Sequence, residues 1–189
     1  MSTPVTTTTA AGRDWSAAPL SELIDHILDR HHNFLREHLP KIHERLERIL
    51  NKKKGEELCG FIPELSRTFF ALEDELYAHL MKEEQILFPH IKRLEAAVAA
   101  GEPPPAFHCG TVRGPIAQME HEHAGGKQAL ETMRRLTDGY RIEESSCGNR
   151  RALFADLEAL ERDLLEHMHL ENDILHPRAI GLETGAAGS

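Results

Sequence analysis

The amino-acid sequence predicts an all-α fold, an antiparallel four-helix bundle with up-down-up-down topology. Four long segments carry apolar residues at every third or fourth position, which is the spacing of a helix with one buried face. Three breaks, at 51–60, 101–114 and 137–149, are rich in glycine, proline or small polar residues, as helix connections are. Pro63 occupies the place of a first helical residue, which fits the start of the second helix. No segment alternates strictly between apolar and polar residues, so no β-sheet is expected.

The predicted bundle is a single domain at residues 14–181, because the 189-residue chain has the length of one domain. Residues 1–13 are rich in threonine and poor in apolar side chains, so we expect a disordered tail there. A short flexible tail is expected at 182–189.

Composition and charge exclude several classes of function. The net charge of −9 offers no basic surface to a nucleic acid, and no apolar run is long enough to cross a membrane. Without a visible signal peptide, we expect a cytoplasmic protein, either a monomer or a homodimer. Cys59, Cys109 and Cys147 are too scattered for a disulfide framework or a cysteine metal site. The 13 histidines outnumber Phe, Tyr and Trp together, which points to metal or proton chemistry.

Each predicted helix has one apolar stripe, and polar residues interrupt it near its middle. His32 interrupts the first stripe, and His123 interrupts the weaker third stripe, which also contains Gly126. In the second and fourth stripes the interruption is a histidine followed four residues later by a glutamate. These two stripes are Leu65, Phe69, Leu72, Leu76, His79, Glu83, Ile86 and His90, and Leu153, Leu157, Leu160, Leu164, His167, Glu171 and Ile174.

An internal repeat strengthens this observation. The spacing alone is not specific, because the sequence has four such His–acid pairs and about two are expected from composition. However, residues 71–89 and 159–177 share nine identities in 19 positions, including the histidine, the glutamate and a following Ile-Leu-x-Pro. Two copies of one helix therefore predict a site with approximate twofold symmetry.

The six interrupting residues predict a pair of metal ions in the bundle core. Residues four apart lie on one helix face, so each His–Glu pair can bind one object. Burying two carboxylates costs several kcal/mol each unless cations compensate them. Four imidazoles, two bridging carboxylates and a bridging oxygen would leave about one open position on each of two six-coordinate ions. Such a mixed, open donor set suits iron, or less well manganese, whereas zinc prefers about four closed ligands.

Other histidines have simpler interpretations. His31 is an alternative to His32 as the ligand from the first helix. The pairs His43/Glu47 and His169/Asp173 flank the stripes and are expected to be exposed pairs on the helix surface. His121 lies two residues from His123 and points elsewhere, and His90 is interpreted as a helix-end residue. No triad, phosphate loop or GxGxxG motif supports a hydrolase or a nucleotide-binding protein.

Four segments resemble a known family: DHILDRHHNFLREHLP, HLMKEEQILFPHI, GPIAQMEHEH and EHMHLENDILHP. They are similar to hemerythrin-like di-iron domains and most closely to the iron–sulfur cluster repair proteins (repair of iron centres). The resemblance covers about residues 14–181. It implies two non-haem iron ions, Fe2+ or Fe3+ with an oxo or hydroxo bridge. Position by position, it implies as ligands the six residues of the stripes: His32, His79, Glu83, His123, His167 and Glu171.

The resemblance also implies a function in defence against nitrosative and oxidative stress. The expected ligands are NO, O2 or peroxide, and the expected partners are damaged iron–sulfur proteins. We expect a binding and redox protein rather than a conventional turnover enzyme. The alternative is a di-iron gas or redox sensor, or an oxygen-binding module, without repair activity.

Three features of the sequence depart from the patterns of related proteins. Many repair proteins carry an N-terminal domain with a Cys-Cys pair, which this sequence lacks; if those thiols act in repair, this chain is expected only to bind or sense NO. His176 replaces the Phe88 of the first repeat, with no assigned effect. Respiratory oxygen carriers typically place another histidine where this sequence has Lys127, which argues against an oxygen carrier.

Overall fold

The computed structural model describes residues 13–51, 60–107, 110–142 and 148–186, and it confirms the predicted four-helix bundle. We number the long helices α1 (20–50), α2 (62–100), α3 (113–136) and α4 (148–186). Their parts are Leu20–Ile27, Leu28–His32 and Asn33–Leu50 in α1; Ile62–Lys82, Glu83–Leu87 and Phe88–Ala100 in α2; Arg113–Leu136 in α3; and Gly148–His169, Leu170–Leu175 and His176–Ala186 in α4. The described residues form no strand and only an isolated bridge between Phe107 and Gly110.

The helices run in alternating directions. The segment Asn33–Leu50 of α1 packs against the first parts of α2 and α4, whereas Leu20–Ile27 packs against the end of α2. The six helix ends that flank the three predicted breaks lie within two residues of them. Pro63 lies in the first turn of α2, where its missing N–H costs nothing. Gly101, with a φ of 69°, ends α2 in the left-handed conformation that glycine adopts most easily.

Two hydrophobic clusters fill the bundle, one towards each end. One includes Leu46, Phe69 and Leu157, and the other includes Ile24 and Ile116. Along every helix, the polar residues of the stripes lie between members of the two clusters. The bundle therefore has a polar layer in its middle.

Three π-helical turns are located at this layer, and they correct one prediction. Ile86 and Ile174 were expected to be buried, but Ile86 is 43 % exposed and Ile174 is only half-buried. Leu87 and Leu175 are buried instead. The N–H of the residue after each turn donates five residues back, to the carbonyl of Glu83 in α2 and of Glu171 in α4. The wider turn holds an extra residue, so the buried face moves by one position.

The C-terminal tail is also shorter than predicted. Helix α4 continues to Ala186, because Leu182 packs against the second hydrophobic cluster and Glu183 accepts the backbone N–H of Val112 at 3.0 Å. Residues 182–186 are therefore helical rather than a flexible tail. The predicted disordered tail at 1–13 lies outside the described residues, except for Arg13, and so do 187–189 and the three cysteines. Within the described ranges, no helix combines the length and the apolar character that crossing a membrane requires.

Candidate metal centre

The structure brings all six residues of the stripes together in the polar layer. His32 comes from the π turn of α1 and His123 from α3, while α2 and α4 each contribute a histidine and a glutamate. None of the six side chains is more than 4 % exposed.

The histidines point their Nε2 atoms at the two carboxylates. The Nε2 atoms of His32 and His79 lie 3.4 and 3.2 Å from the Glu83 carboxylate. The Nε2 atoms of His123 and His167 lie 3.2 and 3.0 Å from the Glu171 carboxylate. Across the layer, the Nε2 atoms of His79 and His123 are 3.0 Å apart.

These donors form two overlapping groups. One group contains His32 and His167, the other His79 and His123, and each also contains both glutamates. In each group the donor atoms lie within 4.8 Å of one another, which is close enough for one cation to contact all four residues. Both glutamates belong to both groups, so each carboxylate has one oxygen for either side.

Three of the four histidines are oriented by partners on a neighbouring helix. The Nδ1 atom of His32 lies 2.7 Å from Glu84, and that of His79 lies 2.8 Å from Glu122. The Nδ1 atom of His123 lies 2.7 Å from the side-chain oxygen of Asn172. An acceptor at Nδ1 holds the proton there and leaves the Nε2 lone pair free to bind a metal.

The outer carboxylates are themselves paired. Arg36 donates to both oxygens of Glu84, and Lys82 and Gln118 donate to Glu122. Partial burial raises the pKa of Glu122, but the hydrogen bonds from Lys82, Gln118 and His79 lower it to about 2. Glu122 is therefore a stable anion beside a candidate ligand.

The carboxylates and imidazoles of the layer shift one another's pKa values. Burial raises the pKa of both inner glutamates, but the surrounding imidazoles outweigh this effect and lower both values. Burial lowers the pKa of His79, but the negative charge of Glu83 outweighs this effect and raises it to about 9. The layer therefore favours ionised carboxylates, which are the form that binds a cation.

The donor set fits a pair of metal ions. Of the atoms with which the six residues face one another, four are buried without a hydrogen-bond partner among the described residues: the Nε2 of His32, both oxygens of Glu83 and one oxygen of Glu171. Unsatisfied buried carboxylate oxygens are costly, and metal coordination would satisfy them.

The remaining histidines lie outside the two groups. His31, the alternative to His32, is fully buried, with its Nδ1 3.1 Å from Asp163 and its ring stacked on His167 at 5.5 Å. His121 is exposed, and His90 is buried against Phe107 rather than lying at a helix end.

His176 is buried at the layer, an outcome the sequence left open. Its ring lies parallel to that of His123 at a centroid distance of 6.2 Å, and burial lowers its pKa. A histidine therefore lines the layer where the first repeat has Phe88. The pair His169/Asp173 lies on the surface as predicted. His43, in contrast, is half-buried: its Nδ1 lies 2.5 Å from Glu73 of α2, while its Nε2 lies 3.6 Å from Glu47.

The apolar stripes did not predict the residues that contact Nδ1 of the candidate ligands. Glu84, Glu122 and Asn172 are each adjacent in sequence to a candidate ligand, and each one contacts a histidine on another helix. Polar residues next to the stripe residues were the available signal.

The fold and this site define a class: four-helix bundles with a buried histidine–carboxylate site for cations. The family model described as "Hemerythrin HHE cation binding domain" matches residues 23–179. The chain belongs to the hemerythrin HHE family, as the resemblance of the four segments predicted.

Curated relatives are similar over most of the chain. The "Iron-sulfur cluster repair protein YtfE" of Edwardsiella ictaluri is 38 % identical over 169 residues, which are 89 % of this chain and 70 % of the relative. The protein of the same name from Escherichia coli O81 is 37 % identical over 175 residues, 90 % of this chain and 71 % of the relative. That of Pectobacterium carotovorum is 37 % identical over 171 residues, covering 89 % and 69 %.

Proposed function

We propose that the polar layer holds two non-haem iron ions. His32 and His167 would bind one ion and His79 and His123 the other, with Glu83 and Glu171 bridging them. The observation that carries this proposal is that both glutamates are shared by two groups of four donors. Mixed nitrogen and oxygen donors suit iron, whereas a closed structural zinc site has about four ligands of its own.

We infer that the centre binds NO, O2 or peroxide in defence against nitrosative and oxidative stress. Bound iron would supply open coordination positions and one- or two-electron chemistry. The protein's own residues hold the ions, orient the imidazoles and exclude bulk water from the buried layer. Lys127 is exposed, so α3 contributes only His123 to the layer, which favours this function over oxygen transport.

We further propose that the protein restores damaged iron–sulfur clusters in the cytoplasm. The support is the name of relatives, iron–sulfur cluster repair protein, which are 36–38 % identical over about nine-tenths of this chain. Damaged iron–sulfur proteins would then be its partners.

Metal analysis tests the centre. Protein purified anaerobically without added metal should contain about two irons per chain, and Glu83→Ala or Glu171→Ala should lose most of this iron while remaining helical. Asp173→Ala is the matched control, because Asp173 forms an exposed pair with His169 at the same spacing on α4. Zinc alone, or normal iron in both glutamate variants, would contradict the assignment.

A repair assay tests the function. An iron–sulfur enzyme inactivated by NO should recover activity with the iron-loaded protein but not with the Glu83→Ala variant. Stoichiometric NO binding without recovery would instead assign the protein to the sensor class.

A further inference from the structure

Gly126 lets the side chain of Met168 approach the backbone of α3 closely. It lies on the buried face one turn from His123. A Cβ atom at this position would come within 3.0 Å of the Met168 side-chain methyl and 3.8 Å of Leu72 Cδ1. Glycine inside a helix is about 1 kcal/mol less favourable than alanine, so the sequence keeps this close approach at a cost to helix stability.

Gly126 also lines a small void beside the metal layer. The void has a volume of about 20 Å³ and reaches His79 and His123, with Leu72, Leu76 and Met168 forming its apolar wall. A water-sized molecule needs roughly 10–15 Å³ on this measure. The void therefore accommodates a molecule of one or two heavy atoms and none much larger.

A wider cleft lies next to the void. Its volume is about 320 Å³, and Ala78, Lys82 and Gly125 are among its lining residues. The cleft and the void share Glu75 and Glu122 in their walls. These two carboxylates therefore form a rim common to the cleft and the void.

The opposite half of the centre is packed differently. His31 stacks on His167, and Phe88 lies against the ring of His32 with a centroid distance of 5.6 Å. Both covering side chains are no more than 1 % exposed. The two halves of the layer therefore differ in what covers them.

We propose that the void at Gly126 is a docking site for a neutral diatomic gas, NO or O2, on its way to the ion held by His79 and His123. This inference rests on the proposed di-iron function. Apolar voids exclude water, which finds too few hydrogen-bond partners there, and they accept small apolar molecules. The carboxylate rim disfavours anions, so the route selects for neutral ligands. Gly126 and Met168 face each other in the lining of the void, so a methyl group added at position 126 would reduce its volume.

The first test uses metal-free protein, so it does not depend on iron. Under O2 pressure, paramagnetic relaxation of the Met168 methyl group should exceed that of the Met133 methyl group, which is equally buried but lies outside the void lining. Gly126→Ala should abolish the excess. Gly125→Ala should preserve it, because a Cβ at Gly125 meets nothing within 4 Å. Equal relaxation of the two methyl groups in the wild-type protein would overturn the proposal.

The second test measures NO association with the iron-loaded protein by stopped-flow absorbance. Gly126→Ala should slow association roughly tenfold, the order expected from overpacking one methyl group. Gly125→Ala makes the same change in the same helix and should have the wild-type rate. Equal association rates in the two variants would overturn the proposal of a docking site. Absence of iron from the wild-type protein would instead overturn the proposed function, and the first test would remain valid.

Discussion

Replacing Glu122 by Gln should weaken binding of one of the two proposed ions. Glu122 is the acceptor for Nδ1 of His79, and Lys82 and Gln118 hold its carboxylate in place. Its negative charge makes His79 a stronger donor and keeps the proton on Nδ1. The glutamine has the same size but no charge, so the ion between His79 and His123 should lose affinity while the other ion is retained.

The expected magnitude follows from the one hydrogen bond to His79, which Gln weakens and Ala removes. Loss of an outer partner of a metal-binding histidine costs about ten- to a hundredfold in affinity, or about 1.4–2.7 kcal/mol. Because the glutamine oxygen can still accept from His79, Glu122→Gln should lie near the lower limit. Glu122→Ala removes the acceptor and should lie near the upper limit.

The assay is anaerobic titration with Fe2+ against a chromophoric chelator, which resolves two binding steps. Glu84→Gln is the matched variant for the other half, because Glu84 contacts His32 at 2.7 Å. Gln118→Ala is the control, since it removes a contact of Glu122 without touching His79. The reasoning is refuted if Glu122→Gln binds both ions with wild-type affinity, or if it weakens both steps equally.

Three further results are expected. Hydrogen bonding to Glu73 raises the pKa of His43. This pair therefore stabilises the fold fully below the ordinary histidine pKa, and the stabilisation is lost as the pH rises through the raised pKa. An NMR titration should show a lower His43 pKa in the Glu73→Gln variant. Tyr140→Phe removes a 2.6 Å hydrogen bond to buried Glu161 and should cost about 1.5–3 kcal/mol in urea unfolding, whereas exposed Tyr77→Phe should change little. Chelating the metal should lower Tm but preserve the helical circular dichroism, because only the folded protein binds the ions.

The fold was predictable because its signals are local and repeated. Each helix shows its buried stripe in the sequence, and glycine or proline marks each connection. The six residues of the layer were also predictable, since polar side chains at core positions stand out against the stripes. The repeat at 71–89 and 159–177 separated two of the His–Glu pairs from the surface pairs with the same spacing.

Contacts between helices were not predictable in the same way. Glu84, Glu122 and Asn172 lie beside the stripes, where a polar residue is ordinarily solvated. Neighbouring residues in an α-helix differ in direction by about 100°, so each of these side chains points away from the layer's centre and towards an adjacent helix. Which helix lies there depends on packing, and a single stripe carries no information about its neighbour.

The π turns explain the one error in the predicted core. A period of 3.6 residues assumes an uninterrupted α-helix, and the turns at Glu83–Leu87 and Leu170–Leu175 each add one residue. In both copies of the repeat a proline follows six residues after the glutamate, that is, after Glu83 and after Glu171. Proline has no N–H to donate, and a π turn already leaves the helix one backbone bond short, so proline is tolerated just beyond it. The same short motif thus supplies a candidate bridging carboxylate and, directly after it, the local widening of the helix that moves the buried face by one position.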